Sequence, residues 1–150
     1  MSHTYTALRA HVIFSTEHRR RVIPAELQPR LWDYTGGIGR NHAIPIHAVG
    51  GLDDHAHILL SVPTTQTIAQ VMQTLKAYSS KWLNEEHLTR ERFGWQQGYA
   101  AFSVSQSNFE AVKVYVLNQA EHHRKHSFED EFLSLLAAHG IEYDQRYVLG

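Results

Sequence analysis

His55 and His57 stand one residue apart at the head of HAHILLSV, residues 55–62. In an extended strand, alternate side chains share a face, so both imidazoles project to the same side about 7 Å apart. That spacing lets two imidazoles chelate one ion. Farther along, Tyr115, Gln119, His122 and His126 fall within about a 60° sector of one helix. That helix presents a phenol and an amide one turn apart, and a glutamine on a helix is usually just solvated. Two blander readings stand beside these. The Tyr115 ring packs while its hydroxyl finds a hydrogen bond, or His122 and His126, at i and i+4, form a separate zinc site.

The elements that must position these groups alternate between strand and helix. Residues 5–15, YTALRAHVIFS, have period two: Leu8, Ala10, Val12 and Phe14 on one face, Tyr5, Ala7, Arg9, His11 and Ile13 on the other. A helix is expected over 24–38, with Leu27, Leu31, Tyr34 and Ile38 on one side and Pro29 near its start. IPIHAV, 44–49, reads as a strand, and GGLDD as a turn. In 55–62, Ala56, Ile58, Leu60 and Val62 face the core, and His55, His57, Leu59 and Ser61 face away. A second helix, 67–84, places Ile68, Val71, Met72, Leu75, Ser79 and Trp82 at helical spacing. Ser107 and Glu110 read as a capping box for a helix running to His126, with Phe109, Val112 and Val116 as its buried stripe. Ser127 and Asp130 cap a last helix that buries Phe128, Phe132, Leu135 and Leu136 and stops at Gly140. If the first strand pairs beside 55–62, Arg9 and His11 share the face of the histidine pair.

Composition bounds the rest. A chain of 150 residues with 43% apolar and 19% charged residues reads as one globular domain. There is no cysteine, which excludes disulfides, thiol nucleophiles and thiolate zinc sites and suits a reducing cytoplasm. No signal peptide and no apolar run of about 20 residues is visible, so no membrane partner is expected. Net charge is −1 and the pI about 6.9, below the basic range usual for nucleic-acid-binding domains. The basic cluster is HRRR, 18–21. The 12 histidines exceed what one site uses.

Taken together, these stretches resemble the single-tyrosine, His-hydrophobic-His transposases of bacterial insertion sequences, and within them the repeat-associated tyrosine transposases. The resemblance runs through VIFSTEHRRRVI (12–23), GLDDHAHILLSV (51–62), LKAYSSKWLN (75–84), WQQGYAAFSVSQSN (95–108), YVLNQAEHHRKHSFEDEF (115–132) and GIEYDQRYV (140–148). The middle residue of the histidine pair is Ala56, a minimal hydrophobe, and LDD precedes it where a proline–acid turn is common.

The resemblance implies an α+β, ferredoxin-like (RRM-like) domain: an antiparallel sheet with helices on one face and the active site on the other. It assigns the metal ligands to His55, His57 and Gln119 and the nucleophile to Tyr115, with Mg²⁺ or Mn²⁺ as the working ion. It implies single-stranded, hairpin-forming DNA as partner, a 5′-phosphotyrosine intermediate with no nucleotide cofactor, and a homodimer with composite active sites in the cytoplasm. Arg9, His11, Arg19, Arg20, Arg21, Lys76 and Lys81 are candidates for phosphate contacts, and Trp95, Tyr99 and Phe102 for base stacking. Two other classes stay open. One is a catalytically silent nucleic-acid-binding regulator of the same fold. The other is a metal hydrolase built on His122 and His126.

Overall fold

A computed structural model describes residues 3–148. The elements are β1 (Arg9–Ser15), a 3₁₀ turn at Glu17–Arg19, α1 (Gln28–Asn41), β2 (Ile46–Gly51), β3 (His55–Ser61), α2 (Ile68–Glu85), β4 (Ala100–Val104), a 3₁₀ turn at Gln106–Asn108, α3 (Phe109–Leu117), α4 (Gln119–His122) and α5 (Phe128–Ala138). The four strands form one antiparallel sheet in the order β2-β3-β1-β4. This is the α+β architecture expected from the sequence.

The alternation in β1 and β3 divides the sheet as read. Val12, Phe14, Ile58 and Leu60 point to one face, where they pack with Ile38 of α1 and Val71, Met72 and Leu75 of α2. The capping box of α2 is Thr67 with Gln70, each side chain bonded to the other's backbone N–H. The opposite face carries His11, Ile13, His55, His57 and Leu59. It is covered as well. Leu59, Ala48 and Val104 pack on Val116 of α3, while Ile13 and Phe102 pack on Phe128 and Leu136 of α5. Burial on both sides explains why β1 and β3 are so apolar throughout.

Several boundaries differ from the sequence reading. The first strand begins at Arg9 rather than Tyr5, because β3 and β4 end opposite Arg9, at Ser61 and Val104. Tyr5 and Leu8 beyond it are exposed. The first helix starts at Gln28 with Pro29 in its opening turn. Tyr34 is not on the buried side; it stacks at 4.2 Å and 7° on Trp82 of α2. Ser107 caps nothing: it lies in the 3₁₀ turn, and its Oγ pairs with Ser105 Oγ at 3.0 Å. The helix expected through 126 breaks at Asn118 (φ −102°, ψ 31°), which ends α3 and precedes α4.

Gly50 fixes how closely α3 approaches the sheet. It lies opposite His57 on β2, and a Cβ there would collide with the Val116 carbonyl oxygen. Gly50→Ala should therefore lift α3 from β2 and cost about 1–3 kcal/mol as an overpacked contact. Thermal unfolding reads this as a lowered Tm. An unchanged Tm would mean that α3 is not seated on β2 at this point.

Candidate active site

The site lies between the histidine-bearing face of the sheet and the α3–α5 segment. His55 and His57 come from β3, His11 from β1, Tyr115 from the last turn of α3, Gln119 from the first residue of α4, and Glu131 from the first turn of α5. His55 and His57 are fully buried, and His11, Gln119 and Glu131 nearly so. Tyr115 is half-buried, with its ring 5.8 Å from that of His57.

Glu131 is the hub. Its Oε1 accepts from His57 Nε2 at 2.9 Å and lies 3.4 Å from His123 Nε2 and 3.8 Å from His55 Nε2. Its Oε2 accepts from the Tyr115 hydroxyl and lies 3.1 Å from His122 Nε2. Burial alone would raise the carboxyl's pKa. Hydrogen bonds from His123 and His57, the electrostatic attraction of His57 and the Tyr115 bond override burial and hold it far below the usual carboxylate range. The same contact acts in the opposite sense on the phenol. Burial, then the hydrogen bond to Glu131 and its charge, push the Tyr115 hydroxyl well above its ordinary value. In this state the oxygen is a protonated phenol.

The hydrogen bonds fix the tautomers. His57 donates from Nε2 to Glu131, so its Nδ1 holds a lone pair and accepts from His11 Nε2 at 2.8 Å. Burial lowers His57 to about 4 and His11 to about 3, so both rings are neutral. His55 donates from Nδ1 to Asp54 Oδ1 at 2.7 Å, which turns its Nε2 inward. Gln119 donates from Nε2 to the Tyr115 carbonyl at 3.1 Å, so its Oε1 also faces the site. His55 Nε2 and Gln119 Oε1 lie 3.2 Å apart.

Four ligand atoms, from His55, His57, His123 and Glu131, lie within 4.8 Å of one another and could hold a metal ion. Gln119 Oε1 adjoins them, 3.0 Å from His123 Nε2. The sequence reading missed His123 and Glu131. Both left a signal: His123 follows Gln119 by one helical turn, and Glu131 sits in the buried stripe that Phe128 opens. The His122/His126 pair stacks ring on ring at 5.1 Å, with His126 exposed. His122 instead leans on Tyr115 and Glu131.

The proposed phosphate contacts are scattered. Arg9 lies on the site's face of β1, bonds Gln106 and covers the Phe109 ring at 4.6 Å. Arg19 reaches Glu129 of α5 at 4.0 Å, and Arg20 reaches Glu91 at 3.6 Å. Lys76 and Lys81 lie on α2, across the sheet from the site. Lys76 donates to the Gln97 and Gly98 carbonyls, and Lys81 pairs with Glu85. Trp95 packs in the core and donates to Ser79 Oγ, whereas Phe102 stands on the site's face.

The family model described as "Transposase IS200 like" matches residues 4–119. The ISDra2 transposase TnpA of Deinococcus radiodurans is 24% identical over 117 residues, 75% of this chain and 84% of that one. The transposase for insertion sequence element IS200 from Salmonella typhimurium is 25% identical over 126 residues, 81% and 82% of the two chains. Among solved structures, a chain from Deinococcus radiodurans R1 assigned as a transposase superposes with a TM-score of 0.62 at 22% identity, covering 79% of this chain and 96% of that one. A REP-associated tyrosine transposase bound to a REP hairpin superposes with a TM-score of 0.54 at 12% identity, covering 77% and 70%. These likenesses show the fold.

The neutral histidine pair makes stability depend on pH. His11 and His57 both titrate lower in the folded protein than in the free residue, so on acidification the unfolded chain takes up their protons first. The metal-free protein should hold their contribution in full above pH 6.5 and lose it as pH falls toward their folded values of about 3 and about 4. The slope is up to about 1.4 kcal/mol per pH unit for each ring. Glu131, depressed in turn, weakens folding only below the ordinary carboxylate range. Urea unfolding at pH 7, 6 and 5 should show the decline, and His11→Gln should remove about half of it. An identical slope in that variant would exclude His11 as a source.

Proposed function

The chain belongs to the IS200-like transposase family, and from that premise we propose that it cleaves and rejoins single-stranded, hairpin-forming DNA with Tyr115 as nucleophile and a divalent ion in the imidazole–carboxylate cluster. One observation carries the reading: the Tyr115 hydroxyl lies against that cluster, bonded to Glu131. The solved relative bound to a REP hairpin supports hairpin DNA as the ligand class. Such a substrate places the work on bacterial DNA in the cytoplasm.

The donor set fits a cation. His55 Nε2 and Gln119 Oε1 converge to 3.2 Å, an imidazole nitrogen and an amide oxygen of the kinds that ligate cations. His55, His57 and Gln119 would hold the ion, with His123 and Glu131 as further donors. Imidazole and oxygen ligands with room for phosphate accommodate Mg²⁺ or Mn²⁺, although zinc also suits imidazole. When bound, the ion offsets charge on the phosphoryl oxygens.

The chain's own groups supply the rest. Tyr115 Oη attacks phosphorus and the bond to O3′ breaks, leaving a 5′-phosphotyrosine and a free 3′-hydroxyl. Glu131 already accepts the hydrogen bond of the proton that must leave. Asp54 and His11 orient the two β3 imidazoles through their Nδ1 atoms, the side away from the proposed ion. Gln119 ties the break after α3 to the Tyr115 carbonyl. Rejoining reverses the attack, so it needs no nucleotide cofactor.

The test is incubation with single-stranded DNA from the flanks of its own gene plus Mg²⁺, scored for a covalent protein–DNA adduct. Tyr115→Phe should abolish the adduct while retaining DNA affinity within about twofold, since phosphate contacts do not involve the phenol. EDTA should do the same, and His57→Ala should weaken metal binding. Hairpin binding with no adduct under any divalent ion would identify a silent binding module instead.

The resemblance adds a homodimer with composite sites, each joining one subunit's histidines to its partner's tyrosine. The single chain favours a second arrangement, because its own Tyr115 reaches its own His57 and Glu131. Mixing His57→Ala with Tyr115→Phe under subunit exchange separates the two. Composite sites restore cleavage, because one site of each heterodimer is wholly wild type. Sites closed within one chain leave the mixture inactive.

A further inference from the structure

A cavity of about 570 Å³ opens between β4, α3 and α5. Phe102, Val104, Val112 and Leu135 line it, together with Tyr115 and Glu131 of the site. The His139 ring stacks on Phe102 at 4.3 Å and 25°. Asn108 and Ser134 add an amide and a hydroxyl to the lining. Nothing in the proposed phosphoryl transfer uses this space, yet the attacking residue lines it.

The shape and chemistry narrow the occupant. The volume lies in the range of small-molecule clefts, and the walls are mostly apolar with a few polar groups. A nucleobase has two apolar faces and a polar edge. An aromatic wall takes its face whatever the base, which is how single-stranded nucleic acids are held without sequence readout. Tyr115 lines the cavity, so a nucleotide whose phosphate meets that hydroxyl has its base within reach of the exposed His139 ring, which the buried Phe102 backs.

We infer that the cavity receives the base of a nucleotide adjoining the phosphate presented to Tyr115. Base capture fixes the phosphodiester relative to Oη, and the base is drawn out of any stack with its neighbours. The location beside the scissile phosphate rests on the nucleophile reading of Tyr115, whereas base binding by the cavity does not.

The experiment separates the two. The probe is a single-stranded DNA pentamer with 2-aminopurine at its centre and thymidines on both sides, titrated with Tyr115→Phe protein so that no cleavage intervenes. Its fluorescence should be quenched as the base stacks. Ala138→Phe and Ser134→Phe, both at exposed lining positions on α5, should fill the cavity and weaken that binding at least about tenfold. Unchanged Tm values confirm that they fold. With otherwise wild-type protein and its cleaved strand, an abasic site at one of the two nucleotides flanking the cut should slow adduct formation by about tenfold. Ala138→Phe should then cleave the intact and abasic strands alike. No quenching, or quenching that survives both filling variants, overturns the inference. Quenching lost in those variants, with no adduct from the wild type, supports base binding and removes only the nucleophile reading.

Discussion

A single buried carboxylate organises this half of the molecule. Glu131 is 4% exposed, and an ionised carboxylate out of water is tolerated only when hydrogen bonds and opposite charge replace its hydration. Here the replacements come from three elements: His57 from β3, His123 from the end of α4 and Tyr115 from α3. Each partner is thereby held in one place. The requirement that Glu131 be satisfied therefore determines how α5 docks, and α5 in turn covers Ile13 and Phe102 of the sheet. The Ser127 cap and the acidic first turn of α5 bring the carboxylate in on a helix whose start is well defined.

The same hub sets the polarity of the chemistry. A carboxylate that accepts from a phenol stabilises the neutral phenol and opposes the phenolate. It also draws the Nε2 proton of His57, the nitrogen that would meet an ion in the proposed site. Proton inventory and ligand availability are thus linked through one side chain. The imidazole behind it responds, since His11 sits on the other nitrogen of His57 and takes either hydrogen-bonding role as that ring's tautomer changes. His55 has no such freedom, because Asp54 fixes its Nδ1 as donor.

Local pattern made much of the frame legible. Period-two alternation placed His55, His57 and His11 on one face, and helical spacing placed Tyr115 and Gln119 together. What alternation cannot say is whether the second face meets water or more protein. Polar His55 and His57 read as a boundary of the core, yet they lie under α3–α5. The helix break at Asn118 escaped detection because NFEAVKVYVLNQAEHHRKH has no proline or glycine to interrupt it. Gly50 reads as part of a turn, whereas its role is to admit the Val116 carbonyl. Glu131 was hardest to see, since acids in a first turn are ordinary helix-dipole partners. Only its place between Phe128 and Leu135 on the inward stripe set it apart from Glu129 and Asp130.

Net charge is a poor guide to what such a chain binds, and the pairings show why. Arg19, Arg20 and Lys81 each face a carboxylate at 3.6–4.0 Å, all in exposed or partly exposed pairs. Pairs of that kind contribute about 0–1 kcal/mol. A guanidinium bound to phosphate gains a charge-assisted and often bidentate contact, which is stronger. Exchanging Glu129 or Glu91 for a DNA phosphate therefore costs Arg19 or Arg20 little, and the acids that lower the pI do not block the exchange. Glu131 differs because its charge is already shared among imidazoles and a phenol inside the fold, so it contributes little field at the surface. A total of −1 over 150 residues averages these two situations, and a polyanion at the surface meets only the first.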